Sequence, residues 1–242
     1  MRAMMARGEA FPSWGSNNDV SMSVEAVRAG AKVIYGSGWQ IAASANVVGM
    51  LPDMSLYMPD DGPKRVKAIN LGLHAQAQMQ RIKGQGNIDW MVPIIMDLEA
   101  GFGHFLNAYL VTMLAIEAGA AAVHIEDQGV LKKCGHLGGK VVVPVGEQIN
   151  RLIAARLAAD VAGVPLVIIA RTDSQKAGSI THGMDPRDEA FLTGTTSPAD
   201  GVLGFRGGND ACKARLVHYA PFADILWAET EHPNLAEYLD II

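Results

Sequence analysis

The sequence predicts an α/β protein of the (β/α)8 TIM-barrel type, an incomplete one in which about five of the eight strands are readable. Three observations predict it. Apolar Val/Ile/Leu runs without polar alternation, as in parallel strands covered on both faces, recur between segments of helical spacing. All of these runs end in polar or charged residues, and barrel enzymes assemble their sites at that C-terminal end of the strands. Finally, GSGWQIA at Gly36 to Ala42 lacks the GxGxxG turn that a doubly wound dinucleotide fold places after its first strand.

The elements follow in chain order. MRAMMARGEAF carries two arginines and three methionines in five positions, with neither a helix nor a strand pattern. Residues 1–15 are therefore expected to be irregular, with a degenerate first strand before Gly15. The strand runs are KVIYGSGW (Lys32 to Trp39), MVPIIMDLE (Met91 to Glu99), AAVHIEDQ (Ala121 to Gln128), PLVIIARTD (Pro165 to Asp173) and ADILWAET (Ala223 to Thr230). Helices are predicted over Val20 to Ala31, Lys64 to Lys83, Phe105 to Ala118, Gly146 to Ala162 and Asp210 to Tyr219. The fourth carries Ile149, Leu152, Ile153 and Leu157 at helical spacing and stops at Gly163.

The 242 residues suit one catalytic domain, 49% of them apolar and 19% charged. A net charge of −5 with no long Lys/Arg run argues against nucleic-acid or acidic-membrane partners. Charges interrupt every apolar stretch before it reaches membrane-spanning length, and the start has no secretory apolar core. Cys134 and Cys212 lie far apart without CxxC spacing, which fits a reducing cytoplasm rather than a disulfide scaffold.

Side chains two apart on a strand share a face. By that parity Tyr35, Ser37 and Trp39 point together, as do Asp97 and Glu99; His124, Glu126 and Gln128; Arg171 and Asp173; Trp227 and Glu229. Turned to a barrel mouth, Asp97, Glu99 and Glu126 would repel one another unless something positive lay between them. Oxygen-rich sites of this kind suit Mg2+, with Mn2+ as the alternative ion. The competing reading has these carboxylates capping helices or pairing with lysines. Arg171 ends an apolar run and needs an anion, either a substrate carboxylate or an internal partner such as Asp173 or Glu229. Trp39 and Trp227 read as wall residues, and His124 reads equally well as a satisfied core histidine.

Above the third run lies LKKCGHLGGK, Leu131 to Lys140. Lys132, Lys133 and His136 surround Cys134 with cations that would lower its thiol pKa. Such a cysteine is a nucleophile or an acid–base group, unless it is incidental to a surface loop.

These motifs resemble the isocitrate lyase family, in the isocitrate lyase and phosphoenolpyruvate mutase superfamily. The resemblance rests on KKCGHLGGK together with YxSGWQ (Tyr35 to Gln40), PDxSLY (Pro52 to Tyr57), DxEAGFG (Asp97 to Gly103) and VHxEDQ (Val123 to Gln128). ARLAADVAGVP (Ala155 to Pro165), ARTD (Ala170 to Asp173) and WAET extend it. It implies a Mg2+-dependent retro-aldol cleavage of isocitrate to glyoxylate and succinate, the entry to the glyoxylate bypass, by a cytoplasmic homo-oligomer, a homotetramer in the family. Asp97 would bind the metal directly, with Asp53, Glu99 and Glu126 around its waters. Ser37, Gly38, Trp39 and Arg171 would hold the glyoxylate portion, with Gly135 and Trp227 lining the substrate. Tyr35 would stand near the substrate hydroxyl. Cys134 would protonate the succinate carbanion, supported by His124, His136 and Glu229. Family members are longer, and this chain stops before the Asn/Ser/Thr-rich segment with which they grip the succinate carboxylates. A truncated member with impaired turnover is thus expected. Another 2-hydroxy-acid lyase, acting on 2-methylisocitrate for example, is the alternative, and a non-catalytic barrel fragment is the alternative of another class.

Overall fold

The computed structural model describes residues 1–15, 19–129, 132–135 and 137–241. In chain order it begins with α1 (Arg2–Ala6), β1 (Ser13–Trp14), α2 (Val20–Arg28), β2 (Val33–Gly36) and α3 (Gly38–Gln40). Next come α4 (Asp61–Lys83), β3 (Ile94–Asp97), α5 (Phe105–Glu117), β4 (Ala122–Glu126), β5 (Lys140–Val142) and α6 (Val145–Ala162). The remainder is β6 (Val167–Thr172), β7 (Ala177–Ile180), β8 (Leu192–Thr196), β9 (Leu203–Phe205), α7 (Asn209–Tyr219), β10 (Ile225–Ala228) and α8 (Leu235–Ile241). Every predicted run is a strand, and every predicted helix forms to within a few residues. Residues 1–15, expected to be irregular, contain α1 and β1. Arg2 anchors α1 by donating from Nε to the Pro165 carbonyl (3.0 Å) and from Nη2 to that of Leu166 (2.8 Å).

The predicted strands and β1 form one sheet in the order β1-β2-β3-β4-β6-β10, in which β1/β2, β2/β3 and β6/β10 pair in parallel. A parallel sheet with crossover helices is the α/β barrel-type pattern expected from the sequence. A second sheet, β5-β7-β9-β8, was not legible in the sequence.

The chain divides into two compact units. The first comprises Met1–Leu98, Leu110–Val123 and Ala158–Val167. Its core gathers Ile34, Ile41, Val66, Ile69, Leu73, Ile94 and Met96, all buried. Here α2 packs on α4 at Gly72, where any Cβ would run into the Val20 side chain. The Ala121 amide, just before β4, donates to the Ile94 carbonyl (2.9 Å), and Val167, the first residue of β6, in turn donates to the Ala121 carbonyl (3.1 Å).

The second unit comprises Glu99–Tyr109, His124–Leu157 and Ile168–Ile242. It holds the last residues of β4 and β6, the whole of β10 and the second sheet. The register Trp227↔Arg171 and Ala228↔Thr172 sets β10 beside β6. Val142, Ala177, Ile180, Phe205 and Ala211 form a core under the second sheet, and Cys212, Leu216, Ala228 and Ile241 form another between α7, β10 and α8.

Candidate active site

In the first unit, β2 and β3 run side by side with Tyr35 opposite Ile95 and Gly36 opposite Met96. Asp97, at the end of β3, is buried and accepts hydrogen bonds on Oδ2. The Gly38 amide donates at 3.0 Å and the Tyr35 hydroxyl at 3.2 Å. Ser37 caps the short α3, its Oγ accepting from the Gln40 amide at 3.5 Å. Of the predicted residues, Tyr35, Gly38 and Asp97 are thus brought together. Asp53 is buried, whereas Trp39 is half exposed.

The second unit collects the charged strand ends. Glu99 lies beyond β3 with φ +54°, and its neighbours Gly101 (+80°) and Phe102 (+58°) continue a left-handed turn. A non-glycine residue held there is strained, and such strain concentrates at functional sites. The turn, rather than the strand alternation used to pair it with Asp97, directs Glu99. Its carboxylate forms an ion pair with Lys132 Nζ, which also lies 3.5 Å from Glu126 Oε1. All three side chains are buried.

Arg171 lies at the centre of the other cluster. Its Nε and Nη2 donate to Asp173 at 3.0 and 3.1 Å. Nε lies 3.4 Å from Glu126 Oε2, and Nη1 lies 3.5 Å from Glu229 Oε2. The guanidinium sits 5.0 Å from the Trp227 ring centroid, and His124 meets that ring edge-on at 5.0 Å. The internal partners foreseen for Arg171, Asp173 and Glu229, are therefore both present, and Trp227 backs the cation.

Burial governs the protonation of these groups. It pushes the Glu126 carboxyl up to about 8, against the opposing pull of Lys132 and Arg171. Burial also works against the Asp173 charge, but Arg171 and Lys140 outweigh it and hold that carboxyl at about 2. Glu229 is raised, chiefly by burial, despite Arg171. Because Glu126 binds its proton more tightly in the folded state, its contribution is full below the unfolded carboxyl value of about 4.3 and is lost as the pH rises towards 8. Glu126→Gln is expected to flatten the fall in Tm over that window. A calorimetric series with an unchanged slope would show that the Glu126 proton is not its origin.

The cysteine loop differs in one respect from the sequence reading. Lys132 is engaged by Glu99 and Glu126, and Lys133 Nζ donates to the carbonyls of Gly138 (3.4 Å) and Gly139 (3.1 Å). Both amines are thus directed to oxygen partners. His136 lies outside the described residues. Cys134 is half buried, and neither it nor Cys212 is in a disulfide. Gly135 approaches Glu229 so closely that a Cβ would collide with its carboxylate. That approach is what brings the loop onto the Arg171 cluster.

Some site residues were not singled out from the sequence. Lys140 is fully buried, with Nζ on Asp173 Oδ1 (3.0 Å) and on the Gly135 carbonyl (2.7 Å). Its signal was a lysine opening the apolar run KVVVPV, the same embedded charge that marked Arg171. Gln128, which parity had already set on the face of Glu126, donates to Glu126 Oε1 (3.3 Å) and brackets Lys133. Asp127, on the opposite parity, accepts from the Asp173 amide (2.8 Å) and the Thr172 hydroxyl (2.7 Å) and so fixes the strand end that carries Arg171.

Among the described residues, no three His, Cys, Asp or Glu side chains converge as a metal ion requires, and no helix is long and apolar enough to cross a membrane. The carboxylates are oxygen donors of the kind Mg2+ prefers. As arranged, however, the Glu99–Glu126 pair takes its positive charge from Lys132, and the residues do not fit the ion.

Residues 4–204 match the profile of the Isocitrate lyase family. The chain is 48% identical to the isocitrate lyase of Halalkalibacterium halodurans over 217 residues, 89% of this chain and 51% of that protein. Isocitrate lyase 1 of Mycobacterium tuberculosis is likewise 48% identical, over 218 residues, with the same coverage of 89% and 51%. A bifunctional glyoxylate cycle protein of Caenorhabditis elegans is 44% identical over 227 residues, 90% of this chain and 23% of that one. The chain spans about half the length of the isocitrate lyases it matches, at 51%. Among solved structures, a 2,3-dimethylmalate lyase of the PEP mutase/isocitrate lyase superfamily superimposes with a TM-score of 0.69 at 24% identity, covering 99% of this chain and 64% of its own. A phosphonopyruvate hydrolase solved with oxalate and Mg++ gives 0.67 at 20%, covering 99% and 65%. At such identities the likeness establishes the fold alone. With the family profile running through most of its sequence and the family's motifs at its strand ends, the chain belongs to the isocitrate lyase family.

Proposed function

We propose that this chain carries catalytic groups of a lyase that cleaves isocitrate to glyoxylate and succinate, at the entry to the glyoxylate bypass. The observation that carries the reading is the buried Arg171 cluster, with Trp227 behind the guanidinium and the Cys134 loop pressed onto Glu229. It offers a carboxylate-binding cation beside a candidate proton donor.

The reaction asks for three operations. The C2 hydroxyl proton leaves, the C2–C3 bond breaks so that C2 becomes the glyoxylate aldehyde, and the electron pair left on C3 is quenched by a proton to give succinate. In this reading Arg171 holds the glyoxylate carboxylate. Cys134 delivers the proton to C3, supported by His124, His136 and Glu229, with Gly135 and Trp227 lining the substrate. Mg2+ or Mn2+ would belong to this reading, but the Glu99–Glu126 pair, as arranged, is neutralised by Lys132 and does not fit the ion. The same reading makes the protein a cytoplasmic homotetramer.

The test offers the protein isocitrate and 2-methylisocitrate in parallel and traps the oxo-acid released. Glyoxylate from isocitrate is expected to form faster. Faster release of pyruvate from 2-methylisocitrate would overturn the substrate assignment.

A further inference from the structure

We propose that Gln128 and Lys140 are positioning residues for Cys134, gripping the backbone on either side of it. The loop has little rigidity of its own, because Gly135, Gly138 and Gly139 lie on the C-terminal side of the thiol. Its fixity has to come from tertiary partners. Gln128, fully buried, pairs with Lys133 as a neighbouring strand would. The Lys133 amide donates to Gln128 Oε1 (2.9 Å), and Gln128 Nε2 donates back to the Lys133 carbonyl (2.8 Å). A further bond from Nε2 to Glu126 Oε1 at 3.3 Å fixes which way the carboxamide faces. On the far side, Lys140 Nζ donates to the Gly135 carbonyl (2.7 Å) and is itself held by Asp173 Oδ1 (3.0 Å). The two residues flanking the cysteine are thereby tied to β4 and, through Asp173, to the end of β6. Asp173 and Glu126 also hold Arg171, so the cation and the thiol-bearing peptide share one scaffold. This role rests on the reading of Cys134 as the proton donor, but it can be measured without turnover.

Iodoacetamide labelling of the intact protein, followed by peptide mass spectrometry from about pH 6 to 9, reads the two thiols separately. Cys212 serves as the internal control, since burial pushes its thiol up to about 11. Gln128→Met should accelerate Cys134 labelling at least about tenfold and alter its pH profile, because two hydrogen bonds to the loop are lost, while Cys212 stays unchanged. Gln128→Glu, which keeps the acceptor and loses the donor, should give a smaller rise. Lys140→Arg, which retains the cation, should stay near wild type. Wild-type rates and profiles in both Gln128 variants would overturn the proposal. So would parallel acceleration of Cys134 and Cys212 in both, which would mean that Gln128 supports the fold and not the loop. Failure to cleave isocitrate would refute the lyase reading and leave these labelling results unaffected.

Discussion

Arg215→Met is expected to cost about 3–5 kcal/mol of stability, the range for removing one partner of a buried ion network. Arg215, on α7, is fully buried. Its Nη1 donates to Asp127 Oδ2 (2.9 Å), the Val143 carbonyl (2.9 Å) and the Tyr219 hydroxyl (3.1 Å), and its Nη2 donates to Asp188 (2.7 Å). The guanidinium lies 5.1 Å from the Phe205 ring centroid. Each partner has another task. Asp127 pins Thr172 and the Asp173 amide, and Asp188 accepts from the Val145 amide at the start of α6. Without the guanidinium, two buried carboxylates would have to remain uncompensated or take up protons. Lysine cannot substitute, because a point charge does not reach several partners in one plane. Urea titration should show the loss in Arg215→Met, and adding Asp127→Asn and Asp188→Asn to it should restore part of the stability. A single variant less than about 1 kcal/mol below wild type would show that the network is not a major support.

The sheet was largely legible because its strands are apolar runs that end in charge. Such a run can hardly be anything but a strand covered on both faces. The boundaries slipped where local chemistry overrides pattern. Helix α4 starts at Asp61 rather than Lys64, because Pro63 is tolerated in a first turn. The second sheet was missed because its strands are short, and β8 is exposed at four of its five positions and gives no alternation to read. At the site, parity found Glu126 with Arg171 and Asp173, and Trp227 with Glu229, since register fixes which side chains share a face. It could not find Asp127, whose parity turns it towards α7, nor single out Lys132 as the lysine that pairs with Glu99 and Glu126. Glu99 lay beyond its reach as well, since the strand ends at Asp97 and a left-handed turn takes over.

The largest functional effect is expected at Cys134. A thiol ionises near 8.5, close enough to neutrality to give up a proton readily, whereas a serine hydroxyl in its place is a far weaker acid. Ser differs from Cys by one atom, and the Gln128 and Lys140 contacts to the neighbouring backbone are indifferent to it. The variant should therefore keep the fold and the Arg171 cluster while losing proton delivery to C3. A loss of about 10²–10⁴-fold in kcat is expected, the range for a positioned general acid. Stability and glyoxylate binding should stay unchanged. The most direct test of the central claim is the rate of glyoxylate and succinate formation from isocitrate by the wild-type chain and by Cys134→Ser in the same assay. Measurable cleavage that falls at least about a hundredfold in the variant is the expected result. Equal rates in the two proteins, or no cleavage by the wild-type chain, would contradict it.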